Sequence, residues 1–274
     1  MKALLKTEES IGNLHMKHNV DFFKTRTFKE QLEHLDPEYP FTADDFNTTP
    51  ESRKALLSFL QNEFKKGTIG RLAKGLYYKP TIAFVTGNKL PPSSFAIYEF
   101  LKKRDRGYLT GASVHNSLSL NTQICGGFIY ASNRKPKDFK LKNTRFIRIK
   151  AFVPDEEIVD NNLFLLQILD SLYRIETISD CHPDDAVYVL KRHLKHMNEQ
   201  QIIDIERLSQ YYPEKVQALL GAMLGSIHSP NRQTAKQVSE RLRKRLPPNR
   251  KYGFSLLSNQ ELRNCKKFNI YETA

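Results

Sequence analysis

Between residues 50 and 64, lysine, serine and glutamine recur opposite an apolar stripe. If Leu56, Leu60 and Phe64 face a core, the other side of a helix carries Lys54, Ser58, Gln61 and Lys65 at three- and four-residue spacing. Those side chains suit the reading of base edges in a DNA major groove. Glutamine pairs in bidentate fashion with adenine, lysine reaches guanine, and serine suits either. Arg53, near the helix start, is placed for a phosphate. The following stretch, "KKGTIGRLAKGLYYKP" (65–80), holds five basic residues, three glycines and a closing proline. Arg71, Lys74 and Lys79 are expected to clamp phosphates there, a contact that gives affinity rather than sequence choice. Taken singly, each polar residue reads as a solvated position on an exposed face. Helix, basic hairpin and net charge together point to DNA.

Three other groupings invite a chemical reading. The segment "RKPKDFKLKNTRFIRIK" (134–150) has eight basic residues against one acidic. Arg134, Lys135, Lys137, Lys140, Lys142, Arg145 and Arg148 form either a second surface for nucleic acid or an acidic partner, or a lysine-protected strand edge. The run "RLRKRLPPNRK" (241–251) reads as a solvated helix end or tail. "SDCHPDDAV" (179–187) brings Asp180, Cys181, His182, Asp184 and Asp185 together, with His193 and His196 beyond. Helix-start chemistry accounts for this cluster. Pro183 fits the first helical position, and Asp184 and Asp185 complement the helix dipole. His193 and His196 suit solvent on a Lys/Arg-rich face, and no zinc spacing occurs. Ser113 and His115 lie two apart with no third partner in view, so they are expected at a helix start and on the surface. GxxxxGK[ST], GxSxG and HExxH are absent from the sequence. No catalytic residue, metal or cofactor is expected.

These residues need a scaffold. Thr27 with Glu30 fits a capping box before the stripe Phe28, Leu32, Leu35. Thr42 with Asp45 marks a second start before Phe46, and Thr49–Pro50 an N-cap and first-turn pair for the helix to Phe64. Gly67 ends that helix. "TIGRL" and "LYYKP" alternate about Gly75, which supplies a positive φ in the turn, and Pro80 stops the second strand. Three short helices followed by a basic hairpin outline a winged helix-turn-helix, with the hairpin as wing. "TGNKLPPSS" (86–94) reads as a connector. Two helices broken at Arg106–Gly107 follow, then strands "GGFIYAS" and "TRFIRIKAFV" around a basic loop. Helices are expected over "NNLFLLQILDSLYRIE", "DDAVYVLKRHLKHM", "EQQIIDIERLSQYY" and "PEKVQALLGAMLGSI". The fold class is mixed α/β: an extension (1–25), a winged helix-turn-helix (26–85), a helix-rich α/β domain (86–225) and a basic tail (226–274).

The net charge of +13 over 274 residues suits a polyanionic partner, nucleic acid before membrane. Cys125, Cys181 and Cys265 are odd in number and far apart, which excludes a disulfide framework and points to a reducing compartment. "MKALLKTEESIGNLHMKH" breaks into charge too early for a signal peptide. No run approaches 18 apolar residues. A cytoplasmic protein with no membrane partner is expected.

"FTADDF", "ALLSFLQNEFKKGTIGRLAKGLYYKP" and "GYLTGASVHNSLSLNTQIC" resemble the AbiEi-type antitoxins of type IV toxin–antitoxin systems, in the branch with an N-terminal winged helix. The wing pattern falls on Gly67, Ile69, Arg71, Leu72, Gly75, Tyr77, Tyr78 and Pro80, and the second block ends on Leu120 and Gln123. The likeness covers residues 26 to 225. It implies an antitoxin that represses its own operon through the winged helix, with several copies on upstream operator DNA. It also implies a neighbouring nucleotidyltransferase toxin, opposed through 86–225 without a stable complex. Three rival readings remain: a plain regulator with a sensory C-terminal domain, a winged helix that docks a protein, and an enzyme built around 180–196.

Overall fold

The computed structural model describes residues 27–37, 39–105, 107–123, 125–134, 139–141, 144–227, 231–255, 262 and 264–273. The expected N-terminal extension lies outside them. The chain is mixed α+β, with several small sheets and nine α-helices among the described residues. It divides into two compact units between Phe100 and Leu101, not at 85/86.

The first unit runs α1 (Phe28–His34), β1 (Pro40–Phe41), a 3-10 turn (Ala43–Asp45), α2 (Arg53–Lys65), β2 (Gly70–Ala73) and β3 (Leu76–Tyr78). This is the element order of a winged helix. Thr27 and Glu30 form the expected capping box on α1. Thr42 and Asp45 form another, but Phe46 leaves helical geometry at once, so the middle helix is a single 3-10 turn. The helix α2 begins at Arg53 with Ser52 as N-cap. Thr49 and Pro50 stand in the turn before it, where the Thr49 carbonyl accepts from Arg53 N–H and the Thr49 and Ser52 hydroxyls interlock. At the far end Gly67 takes φ +71°. Its N–H bonds the Phe64 carbonyl and that of Thr68 bonds Glu63, closing a Schellman motif. Gly75 takes φ +80° in the wing turn. β1 pairs with β3, Phe41 opposite Tyr77, giving an antiparallel sheet in the order β1-β3-β2. The rings of Phe41 and Tyr77 stack 6.1 Å apart. Leu32, Phe41, Phe46, Leu56, Leu60, Ile69 and Tyr77 are buried together. β4 (Thr81–Ile82) and β5 (Lys89–Leu90) then make a second hairpin where a plain connector is expected. Its tip residues Phe84 and Val85 are fully exposed.

The helix α3 (Ser94–Asp105) contains the division between units. The second unit has β6 (Tyr108–Leu109), a one-turn α4 (Ala112–His115), β7 (Gly127–Ala131), β8 (Phe139–Leu141) and β9 (Thr144–Ile149). A strand and one turn therefore replace the expected second helix, and the expected basic loop contains β8. The sheet order is β6-β7-β9-β8, with β7 parallel to β9 and the other two pairs antiparallel. α5 (Asp160–Tyr173), α6 (Pro183–His196), α7 (Glu199–Ser209) and α8 (Glu214–Leu224) follow where periodicity places them.

The expected tail is not a tail. α9 (Arg232–Arg245) is followed by β10 (Tyr252–Ser255), which pairs in parallel with β11 (Ile270–Thr273). Val238, Leu242, Tyr252, Phe254, Phe268 and Ile270 belong to the same buried core as α5 to α8. A Cβ on Gly221 would meet the Phe268 ring at 2.3 Å, so the ring lies directly on the α8 backbone. Apolar burial at period 3–4 along α9 is what draws this segment inward. No helix among the described residues is long and apolar enough to cross a membrane.

Candidate nucleic-acid interface

In α2, Leu56 and Leu60 are fully buried, while Lys54, Ser58, Gln61 and Lys65 are exposed on the other side. The expected face exists, and at 1.5 Å per residue it runs about 16 Å from Lys54 to Lys65. Leu57 also projects from it, 48% exposed. Sequence periodicity gives no reason to single out that leucine, yet an apolar side chain there suits a thymine methyl.

The flanking cations divide into two kinds. Arg71 on β2 is exposed, with its guanidinium 5.1 Å from the Phe64 ring centre, which holds it beside the end of α2. Lys74 stands exposed in the wing turn. Arg53 is exposed but bridged to Asp44 at 2.5 Å, so a phosphate would have to compete with that carboxylate. Lys79 departs from the expectation. Its Nζ donates to the carbonyls of Glu33 and Leu35, both at 2.8 Å. Burial pushes its pKa down, against the charges of Asp36 and Glu33. Lys79 caps the C-terminus of α1, and its Nζ is engaged there rather than held out from the wing. Lys89 does similar work unforeseen from sequence, donating to the Gly67 carbonyl at 2.7 Å.

Two members of the second basic group, Arg134 and Arg148, are engaged within the fold. Arg134 donates to the Arg104 carbonyl at 2.6 Å and lies 3.8 Å from Asp155. Arg148 donates to the carbonyls of Ser132 and Arg134. Both arginines hold the chain after β7 in place. Arg145 is exposed. Lys135, Lys137 and Lys142 lie outside the described residues, as does the side chain of Lys140.

The block "GYLTGASVHN" turns out to be a joint in the second unit. Tyr108, Thr110 and Tyr212 donate hydroxyls to the buried Asp170 carboxyl at 2.9, 2.5 and 2.7 Å. Burial raises the pKa of Asp170, against the pull of those bonds. Burial and the nearby Asp170 raise those of both tyrosines. Ser113 accepts from Ile129 N–H at 2.6 Å and donates to the Gly127 carbonyl at 3.3 Å, pinning α4 to β7. His115 is buried, not on the surface. Its Nε2 reaches no polar partner among the described residues. Burial, then the charge of Arg174, lowers its pKa.

At 179–196, the His182 ring accepts from Asp184 N–H at 3.3 Å as N-cap of α6, with Pro183 in the first helical position. Asp180 accepts from Gln123. His193 is not left to solvent, since its Nε2 lies 2.9 Å from the Leu118 carbonyl and its ring meets Phe164 edge-on. No group of three potential metal ligands occurs among the described residues.

No curated protein matches the sequence. Among solved structures, the fold is similar to the crystal structure of the RV2827C protein from Mycobacterium tuberculosis, at 14% identity and a TM-score of 0.48, over 92% of this chain and 91% of that one. A family profile described as "Family of unknown function (DUF6088)" matches residues 41–202. That span takes in α2 and the wing in the first unit, and the sheet, α5 and α6 in the second. It covers more than half of the chain, and the protein belongs to this family.

Proposed function

We propose that the protein is a DNA-binding repressor of its own operon and the antitoxin of a type IV toxin–antitoxin pair, acting in the cytoplasm. One observation carries the DNA-binding half. Lys54, Ser58, Gln61 and Lys65 line the outer face of α2, while Leu56 and Leu60 fix the inner face, next to a wing that presents Arg71 and Lys74. In this reading α2 enters the major groove, Gln61 and Lys54 read bases, and the wing lysine holds phosphate. The antitoxin half rests on the resemblance of the wing and of the "GYLTG" block to AbiEi-type antitoxins. The partner it implies is a nucleotidyltransferase toxin encoded next door.

The test is a titration against DNA from upstream of the protein's own gene, beside a scrambled duplex, at two salt concentrations. Selective binding is expected to survive the higher salt. Gln61→Ala is expected to lose about 1–3 kcal/mol on the operator and little on scrambled DNA. Equal losses on both remove Gln61 from base reading. For the antitoxin half, co-expression with the neighbouring gene should relieve its toxicity, and a harmless neighbour would refute the pairing.

The exposed Phe84, Val85 and Ile82 of the second hairpin favour a different reading, a winged helix that docks a protein. In that case Lys54→Ala with Gln61→Ala leaves DNA affinity unchanged, and Phe84→Ser abolishes the partner contact.

A further inference from the structure

The basic run at 241–251 sorts into two populations. All four of its arginines are taken up by carboxylates. Arg241 and Arg245 both hold Glu206, whose side chain is only 8% exposed. Arg243 pairs with Glu240 at 3.0 Å, and Arg250 with Glu214 at 3.0 Å. The lysines around them are different. Lys236, Lys244 and Lys267 are exposed, and no carboxylate pairs with them among the described residues.

These three lysines border two adjoining clefts. One, of about 410 Å³, lies between the end of α9, the prolines after it and the 3-10 turn Cys265–Phe268, and Lys244 and Lys267 line it. The other, of about 240 Å³, continues along α9 and carries Lys236 and again Lys267. The floor is firm. Phe268 and Tyr252 are buried, and Asn269 is fixed by its bond to the Pro248 carbonyl and by its own carbonyl accepting from Tyr252 N–H. The one carboxylate on the lining, Glu240, is offset by Arg243.

We propose that this double cleft is a second, sequence-independent site for the phosphate backbone of a polynucleotide. Lysine ammoniums without partners are compact point charges suited to phosphate oxygens. Lys236 and Lys244 lie eight residues apart on one helix, about 12 Å along its axis, too far for a single phosphate and suited to separate, non-adjacent ones along a strand. Both lining aromatics are buried, and the Tyr252 hydroxyl is bonded to Glu214, so the cleft presents no ring face on which a base could stack. A track of phosphates fits these walls better than a free nucleotide does. The site lies wholly within the second unit and does not rest on the winged-helix reading.

The test compares the full chain with the triple variant Lys236→Gln, Lys244→Gln, Lys267→Gln. Affinity is measured across a salt series for a scrambled DNA duplex and for a single-stranded RNA. The log–log salt slope of the variant should be shallower by about 2 to 3 on the strand type the cleft holds, and the probe showing the change identifies it. Any preference for operator over scrambled DNA should persist, because the base-reading face of α2 is untouched. Unchanged slopes on both probes overturn the proposal, as does loss of operator preference together with the slope. Lys267→Gln alone serves where the triple variant does not fold, with a slope change of about 1 expected.

Discussion

The two units divide their charge differently, though each keeps some cations for internal work. In the winged helix a small core of Leu56, Leu60 and their neighbours leaves a polar helix face and a basic wing outside. In the second unit, prominent arginines are turned to internal work. Arg241 and Arg245 clamp Glu206, Arg207 holds Glu157, and Arg134 and Arg148 hold backbone carbonyls. Lys215 bridges Glu176 at 2.5 Å, and the Glu176 pKa falls because the bonds from Lys215 and Ser255 outweigh the upward push of burial. A count of basic residues therefore says little about a binding surface until their carboxylates are known.

The sharpest way to separate the units is Asp170→Ala. It strands the hydroxyls of Tyr108, Thr110 and Tyr212, and should destabilise the second unit by about 4 kcal/mol. Hydrogen exchange should then quicken in α5 and α8 while α2 keeps its protection. Equal loss of protection in both units would break the comparison. Leu60→Ala is the converse, costing the first unit about 3 kcal/mol through a cavity, read by the same exchange experiment.

Two lysines sharpen the contrast within the wing. Lys79→Met should cost the first unit about 1 kcal/mol by uncapping α1, and leave the salt slope of DNA binding unchanged. Lys74→Ala should leave the melting temperature unchanged and reduce that slope by about 1. Exchanged outcomes would restore Lys79 as a phosphate contact.

The smallest effect concerns pH. The His115 pKa is depressed in the folded state, so the unfolded chain binds its proton first as pH falls. Its contribution is fully present above the unfolded value and declines as pH drops through the folded one. Wild type should thus lose stability relative to His115→Gln in denaturant titrations below about pH 6.5. Asp170 has the opposite sign. Its raised pKa favours the fold at low pH, and that benefit is lost as pH rises through the folded value.

Much of the winged helix was legible in the sequence because its signals are local. The stripe of α2, the Gly67 stop and the Gly75 turn each depend on neighbours a few residues away. β1 was not legible, since two residues, Pro40 and Phe41, become a strand only by pairing with Tyr77 and Tyr78. Lys79 reads as a wing cation until the fold brings it to carbonyls 44 and 46 residues away. The same holds for α9, whose buried Val238 and Leu242 are masked in sequence by Arg241 and Arg245, which find their partner Glu206 on another helix.

The seating of Phe268 on the backbone of Gly221 has a consequence for biosynthesis. The apolar core of the first unit lies between Phe28 and Tyr77 and the unit ends at Phe100, so it can fold while the ribosome is still making the rest. The second unit cannot complete its core until Phe268 and Ile270 have left the exit tunnel, because they cover α8 and pair with Tyr252. A nascent chain stopped near residue 225 would carry a finished winged helix joined to helices with one wall missing. Such a product would be held by chaperones or degraded, coupling the abundance of the first unit to full-length translation of the second.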